Sequence, residues 1–154
     1  MIIIGLDIST SITAYSVMDT DSPLGKRLIK SDVIYLSKIK DPYTKACEVR
    51  DHFKNLSKEF NFDKIVIEES LQAFRSGMSS AKTLSSLTRF NGIVSFLAQD
   101  ILKCEAVRLN VISARSKLGL KIDRKSDISS KEQVRNWGMD HDDFKSFTWP
   151  TKTL

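Results

Sequence analysis

The first ten residues, MIIIGLDIST (1–10), decide the fold. Three isoleucines and a glycine precede a single carboxylate, Asp7, which has an apolar neighbour on either side, and this pattern predicts a buried strand over residues 2–8. A carboxylate inside a buried strand is costly unless it is paired, and a divalent metal ion is a suitable partner. Asp7 is therefore a candidate metal ligand, and the hydroxyls that follow it, beginning with Ser9, suit a phosphate.

The pattern beyond this stretch alternates strands and helices. Three strands come first, and helices then alternate with strands, which favours an α/β fold with a mixed five-stranded sheet flanked by helices and joined by right-handed crossovers. No linker or repeat interrupts residues 1–154, so we expect a single domain. The other strands are predicted over 12–18, 32–37, 64–67 and 105–112, and the helices over 42–60, 79–103, 113–119 and 131–137, with Ser113 and Ser130 as caps of the last two.

Composition narrows the class of protein. A net charge of +5 and a pI near 9.2 in 154 residues favour a polyanionic partner. Cys47 and Cys104 lie far apart, with no metal-binding spacing, and indicate reduced thiols inside a cell. The apolar start lacks a basic leader, and no apolar run has the length of a membrane span. We expect a cytoplasmic protein, associated with the nucleoid or acting in host cytoplasm if viral, with no membrane partner.

A second acid, Glu68, ends the strand predicted over 64–67. If the first and fourth strands are neighbours in the sheet, Asp7 and Glu68 meet, and two converging carboxylates can hold Mg²⁺. Further acids at the same place would allow two ions, as phosphodiester cleavage often uses. The alternative is that Glu68 is a solvated charge at the end of a strand.

A basic segment covers residues 114–131. Such a segment can bind phosphates without sequence preference, although it can equally be a solvated loop. Phe74 and Arg75, on a predicted loop after the Glu68 strand, can stack on an unpaired base, or Phe74 can close the core. The basic residues of the segment, against two acids, are Arg115, Lys117, Lys121, Arg124, Lys125 and Lys131.

Taken in order, these segments resemble the RuvC-like Holliday-junction resolvases of the ribonuclease H-like superfamily. The resemblance implies a catalytic aspartate at Asp7, a catalytic glutamate at Glu68 and, at Lys131, a basic residue near the scissile phosphate. The first motif alone also resembles the start of actin-like ATPases. The segments that carry the likeness are GLDIST (5–10), IVIEES (65–70), LSSLTRFNGIVSFLA (84–98), VISARSKLGL (111–120) and SSKEQVRNW (129–137).

The end of the chain departs from the family pattern. The resolvases finish with a helix that bears two acids in an Asp-x-x-Asp-Ala arrangement. Here Asp140 and Asp143 have that spacing, but Asp140 is only nine residues after Lys131, and Pro150 would break the helix that should follow. Either Asp140 and Asp143 are displaced catalytic and metal-binding acids, or the chain lacks the last catalytic helix.

The resemblance implies a Mg²⁺-dependent endonuclease, with Mn²⁺ as an alternative ion, that hydrolyses phosphodiesters in four-way or other branched DNA. It also implies a homodimer, with the helix predicted over 79–103 as the dimer surface. Two alternatives stay open. One is a non-catalytic module that binds branched DNA through an incomplete metal site, and the other is a fragment of an actin-like ATPase, although a second glycine-rich phosphate loop is missing.

Overall fold

The computed structural model describes residues 1–69 and 81–148, and within them five strands form one mixed sheet. The first three strands pair antiparallel, whereas the last two run parallel to the first. This confirms the predicted α/β class and the mixed five-stranded sheet. The strands are β1 (Ile2–Ile8), β2 (Ile12–Asp19), β3 (Leu28–Tyr35), β4 (Lys64–Glu68) and β5 (Ala106–Leu109), in the order β3-β2-β1-β4-β5.

Over the same described residues, four helices accompany the sheet: α1 (Pro42–Glu59), α2 (Ala81–Leu102), α3 (Val111–Lys117) and α4 (Ser130–Asp140). The start of α1 is fixed by Asp41, whose carboxylate accepts hydrogen bonds from the Thr44 backbone N–H (2.7 Å) and hydroxyl (2.8 Å). Proline is tolerated at the next position because its missing N–H would be unpaired there in any case. None of the described helices is long and apolar enough to cross a membrane.

The hydrophobic core lies between one face of the sheet and helices α1 and α2. Alternate residues of β1, namely Ile4, Leu6 and Ile8, are buried in it. Side chains of a strand alternate between the two faces of the sheet, and apolar residues of a helix recur every three or four positions, so both elements present one apolar side. The buried residues of α1 are those that the spacing predicts: Ala46, Val49, Phe53 and Leu56.

Asp7 lies on the other face of β1 and is exposed. The expectation that burial forces this carboxylate to take a partner was therefore wrong. Its two chain neighbours are buried because they point to the core, and the alternation of the strand turns the residue between them to the opposite side. Whether Asp7 is suited to bind a metal ion therefore depends on the side chains that lie next to it.

The last strand is shorter than predicted, since β5 ends at Leu109. The cause is Asn110, whose side-chain oxygen accepts hydrogen bonds from the N–H groups of Ile112 (3.1 Å) and Ser113 (3.2 Å) and so begins α3. In the same way Ser129, and not Ser130, caps α4. The start of α3 is thus placed directly after the end of β5.

Candidate metal and nucleic-acid site

Asp7 and Glu68 lie side by side at one edge of the sheet. Strands β1 and β4 are parallel neighbours, with Leu6 opposite Ile67, so the next residue of each strand stands opposite the other on the same face. Both carboxylates are exposed on the face that is turned away from the core. The fold therefore brings together the two acids that the sequence singled out.

The charges of this pair influence one another. Partial desolvation raises the pKa of the Glu68 carboxyl, the charge of Asp7 raises that pKa further, and the guanidinium of Arg115 lowers it. Two ionised carboxylates at this spacing repel each other, and a cation between them relieves that repulsion. Mg²⁺ is commonly held by one or two carboxylates together with water and substrate phosphate, so this donor set fits one ion.

Glu69 is held by the start of α3. The side-chain amide of Asn110 donates to the Glu69 carboxylate (3.3 Å), and the backbone N–H of Glu69 donates to the Leu109 carbonyl oxygen (2.9 Å). These bonds fix the beginning of α3 beside the end of β4. One turn later, Arg115 comes within electrostatic reach of Glu68.

Next to Arg115 a basic cavity of about 500 Å³ opens between α3, the following loop and α4. We call it the α3 cavity; its lining includes the cations Arg115, Lys121 and Arg124 and the apolar residues Ile112 and Leu120. A cavity whose lining combines cations with apolar residues suits a sugar–phosphate chain. Arg115 links this cavity to the carboxylate pair, because it lines the cavity and its charge lowers the pKa of Glu68.

The loop that lines the α3 cavity is fastened to α4 by Gln133. The side-chain oxygen of Gln133 accepts from the Asp123 N–H, and its amide donates to the carbonyl oxygens of Asp123 and Ile128, all at 2.8 Å. Sequence analysis did not assign Gln133 this role. Its place in the helix, facing the preceding loop, is a tertiary relation that residue spacing does not reveal.

Other predicted site residues lie around these features. Lys117, Lys125 and Lys131 are exposed, and Lys131 occupies the first turn of α4, directly after a residue that lines the α3 cavity. The Ser9 hydroxyl donates to the Ile12 carbonyl oxygen (2.7 Å), so its proton is used in closing the β1–β2 turn. Phe74 and Arg75 lie outside the described residues.

Asp140 and Asp143 are not brought to the carboxylate pair. Asp143 forms an ion pair with Arg27 (3.1 Å), and the Ser146 N–H donates to the Gly25 carbonyl oxygen (3.2 Å). Both partners lie in the β2–β3 connection, at the edge where β1 begins, about 17 Å along the strand from Asp7. Asp140 is exposed three residues earlier, at the end of α4. Within residues 1–69 and 81–148, no group of three or more His, Cys, Asp or Glu residues is arranged to hold a metal ion.

Comparison by sequence finds no matching protein family and no matching curated protein. Solved structures do match. RuvC of T. thermophilus in complex with a Holliday junction substrate has a TM-score of 0.68 at 12% identity, over 99% of this chain and 84% of that one. A further Thermus thermophilus RuvC structure has a TM-score of 0.66 at 14% identity, over 99% and 86% of the two chains. The yeast mitochondrial Holliday junction resolvase Ydc2 has a TM-score of 0.51 at 18% identity, over 88% and 60%.

These similarities show that the chain has the ribonuclease H-like fold of RuvC-type resolvases.

Proposed function

We propose that this chain is a structure-selective DNA endonuclease that hydrolyses phosphodiester bonds in four-way or other branched DNA. One observation carries the proposal. The carboxylates Asp7 and Glu68 stand together near the ends of two parallel strands, and the charge of Arg115, one of the three cations that line the α3 cavity, reaches Glu68. That combination suits a phosphodiester, which has to be bound by positive groups and attacked beside a metal ion.

Asp7 and Glu68 would hold Mg²⁺ or Mn²⁺ together with an oxygen of the scissile phosphate. When bound, the ion supplies positive charge at that phosphate and lowers the pKa of water. Arg115, which lines the α3 cavity and whose charge reaches Glu68, would bind a phosphate of the same DNA strand. Lys131, exposed at the start of α4, would stabilise the negative charge that develops during hydrolysis.

The direct test is cleavage of a labelled synthetic four-way junction in Mg²⁺ or Mn²⁺, with a linear duplex of the same sequence as control. Symmetric nicks in the junction and intact duplex support the proposal.

A second candidate function is a non-catalytic module that binds branched DNA, favoured by the lack of a third acid near Asp7 and Glu68 among the described residues. Tight junction binding without nicks in either ion would establish the module and overturn the nuclease.

If the α3 cavity binds DNA phosphates, its cations contribute to the salt dependence of junction binding. Changing Lys121→Gln together with Arg124→Gln removes two of its cations. We expect the slope of log K against log salt concentration for junction binding to become shallower by about 1 for each phosphate that is no longer neutralised, thus by about 2. Fluorescence anisotropy at several salt concentrations measures this slope.

The matched control for that measurement changes Lys54→Gln and Lys58→Gln, two exposed lysines of α1 that lie outside the α3 cavity. It removes the same charge without touching the proposed DNA-binding residues. An equal change of slope in both double variants would mean that only net charge matters and that the α3 cavity does not bind the DNA.

We propose that the chain acts as a homodimer through the outer face of α2. Phe96 on this helix is 66% exposed, and Gly92, one turn earlier, is exposed too. Leu97 instead packs against the core, so the outer face of α2 is centred on Phe96. A large exposed aromatic residue beside a small one is suited to close helix packing.

Phe96→Glu should therefore weaken the dimer by at least about tenfold, since it places a charge in an apolar interface. Analytical ultracentrifugation over a concentration series measures the dimer dissociation constant. The matched control is Tyr35→Glu, because Tyr35 is a similarly exposed aromatic residue (68%) on β3. A monomeric wild-type protein, or equal effects of both changes, would contradict this dimer surface.

A further inference from the structure

A second basic cavity, which the sequence analysis missed, lies beside the β1–β2 turn. It has a volume of about 260 Å³ and is enclosed by that turn, the beginning of α1 and the first half of α2. We call it the α1–α2 cavity. Its lining includes three cations, an exposed tyrosine and no acid: Lys40, Tyr43, Lys45 and Arg89, with Thr10 and Phe90.

The three cations come from different parts of the chain. Lys40 precedes the cap of α1, Lys45 lies in the first turns of α1, and Arg89 lies on α2 beside the fully buried Phe90. The Lys45 ammonium group donates to the Thr10 backbone carbonyl oxygen, which ties α1 to the β1–β2 turn. The fold, and not local sequence, therefore gathers these charges.

These charges have no acidic counterpart in the described part of the chain. No Asp or Glu among residues 1–69 and 81–148 forms an ion pair with Lys40, Lys45 or Arg89. The acid next to Lys40 in the chain, Asp41, is engaged in capping α1. Three uncompensated positive charges around one concave space favour an anionic ligand.

The remaining lining indicates which anion. Tyr43 is 65% exposed, and an exposed aromatic ring beside cations is how proteins hold the base of an unpaired nucleotide. Ile93 and Pro42 add apolar surface against which a sugar can rest. The volume is below the roughly 300–1,000 Å³ of pockets that enclose drug-sized ligands, so it suits a single nucleotide.

The position of the cavity connects it to the carboxylate pair. Thr10 is three residues after Asp7, so their Cα atoms are at most about 11 Å apart. Arg115 lines the α3 cavity and its charge reaches Glu68, and Thr10 of the β1–β2 turn lines the α1–α2 cavity. One lining residue of each basic cavity is therefore linked to a carboxylate of the pair: Arg115 to Glu68 through its charge, and Thr10 to Asp7 through the short chain between them.

We propose that the α1–α2 cavity binds the phosphate and base of an unpaired nucleotide in the DNA strand whose scissile phosphate lies at Asp7 and Glu68. This inference rests on the proposed function and adds a substrate feature to it: preference for a strand with unpaired nucleotides near the cut. Lys40 and Arg89 bind the phosphate, and Tyr43 stacks on the base. Lys45 holds the turn that forms the wall.

The test is a comparison of DNA binding by the double variant K40Q/R89Q and by the matched control K54Q/K58Q, without divalent metal. Lys40 and Arg89 are both exposed, so their substitution should leave the core intact, and K40Q alone serves as a milder second variant. For a junction with unpaired nucleotides at its centre, K40Q/R89Q should raise Kd at least about tenfold more than the control, and the salt slope should become shallower by about 2. Circular dichroism melting curves check that each variant is folded.

Tyr43 gives an independent readout of base stacking. Tyr43→Ala should weaken binding to the junction with unpaired nucleotides and leave binding to a fully paired duplex within twofold, whereas Tyr43→Phe should bind as the wild type does. Equal binding of all three proteins to the unpaired substrate would overturn the stacking role.

The outcomes separate this inference from the proposed function. If the wild type fails to bind branched DNA, both are overturned. If the wild type binds and K40Q/R89Q has the same Kd and salt slope as K54Q/K58Q, only the assignment of the α1–α2 cavity as a DNA site is overturned. A free ligand is the other source of the same chemistry, and thermal shifts with deoxynucleoside monophosphate and with inorganic phosphate test it. Stabilisation that is abolished in K40Q/R89Q, with DNA binding unchanged, would assign the cavity to a free nucleotide and overturn the proposal.

Discussion

Asp7→Asn is expected to reduce nicking of a four-way junction by about 10²–10⁴-fold, because a metal ion contributes several kcal/mol to the transition state of phosphodiester hydrolysis. Junction binding should stay within about threefold of the wild type, since the phosphate-binding cations are untouched. Single-turnover cleavage of an end-labelled junction and anisotropy on the same DNA measure the two quantities. The matched control is Asp32→Asn, an exposed carboxylate on β3.

The same variant has a second readout that does not depend on activity. Mg²⁺ or Mn²⁺ should raise the melting temperature of the wild type, because an ion that binds only the folded state stabilises it, and this rise should disappear in Asp7→Asn. Without metal, Asp7→Asn should be slightly more stable than the wild type, because it removes the repulsion that raises the pKa of Glu68. Undiminished nicking, or an unchanged metal-induced shift, would contradict the assignment of Asp7.

Phe53→Ala is expected to lower the free energy of unfolding by about 3–5 kcal/mol, out of a total of about 5–15 kcal/mol for a domain of this kind. Phe53 of α1 is fully buried in the core cluster that also contains Ile4 of β1 and Ile65 of β4, and its removal leaves a cavity in that core. Urea denaturation followed by circular dichroism measures the change.

The control for Phe53→Ala is Leu24→Ala, since Leu24 is 62% exposed and should alter stability by no more than about 0.5 kcal/mol. A destabilisation below about 1.5 kcal/mol for Phe53→Ala would mean that α1 is not packed on the sheet as described.

Short-range pattern accounts for what the sequence predicts well. The strand over Ile2–Ile8 matches the prediction residue for residue, and α1 begins at Pro42 as its proline and cap indicate. The meeting of Asp7 and Glu68 was predicted on the condition that the first and fourth strands are neighbours, because each acid lies at or next to the end of its strand and parallel neighbours carry their ends to one edge of the sheet. These inferences need only alternation, helical spacing and strand direction.

Other features depend on tertiary relations that spacing does not contain. The burial of Asp7 was predicted wrongly because its apolar neighbours show only that it occupies the opposite face of the strand, and not whether another layer covers that face. The positive charges of Lys40 and Arg89 meet only after α1 packs against α2. Likewise, the ion pair of Asp143 with Arg27 joins residues 116 positions apart.

The segment from Asn110 to Asp143 is held to the rest of the fold at both ends, and this limits the positions at which residues can be inserted. Asn110 holds its beginning to Glu69, and Asp143 holds its end to Arg27 at the opposite edge of the sheet. One residue added within α4 would turn everything after it by about 100° and break the second anchor. Insertions between residues 124 and 127 are the tolerable ones, because Gln133 already brackets that loop on both sides. Variants of this chain that differ in length should therefore differ first in how far this basic loop extends.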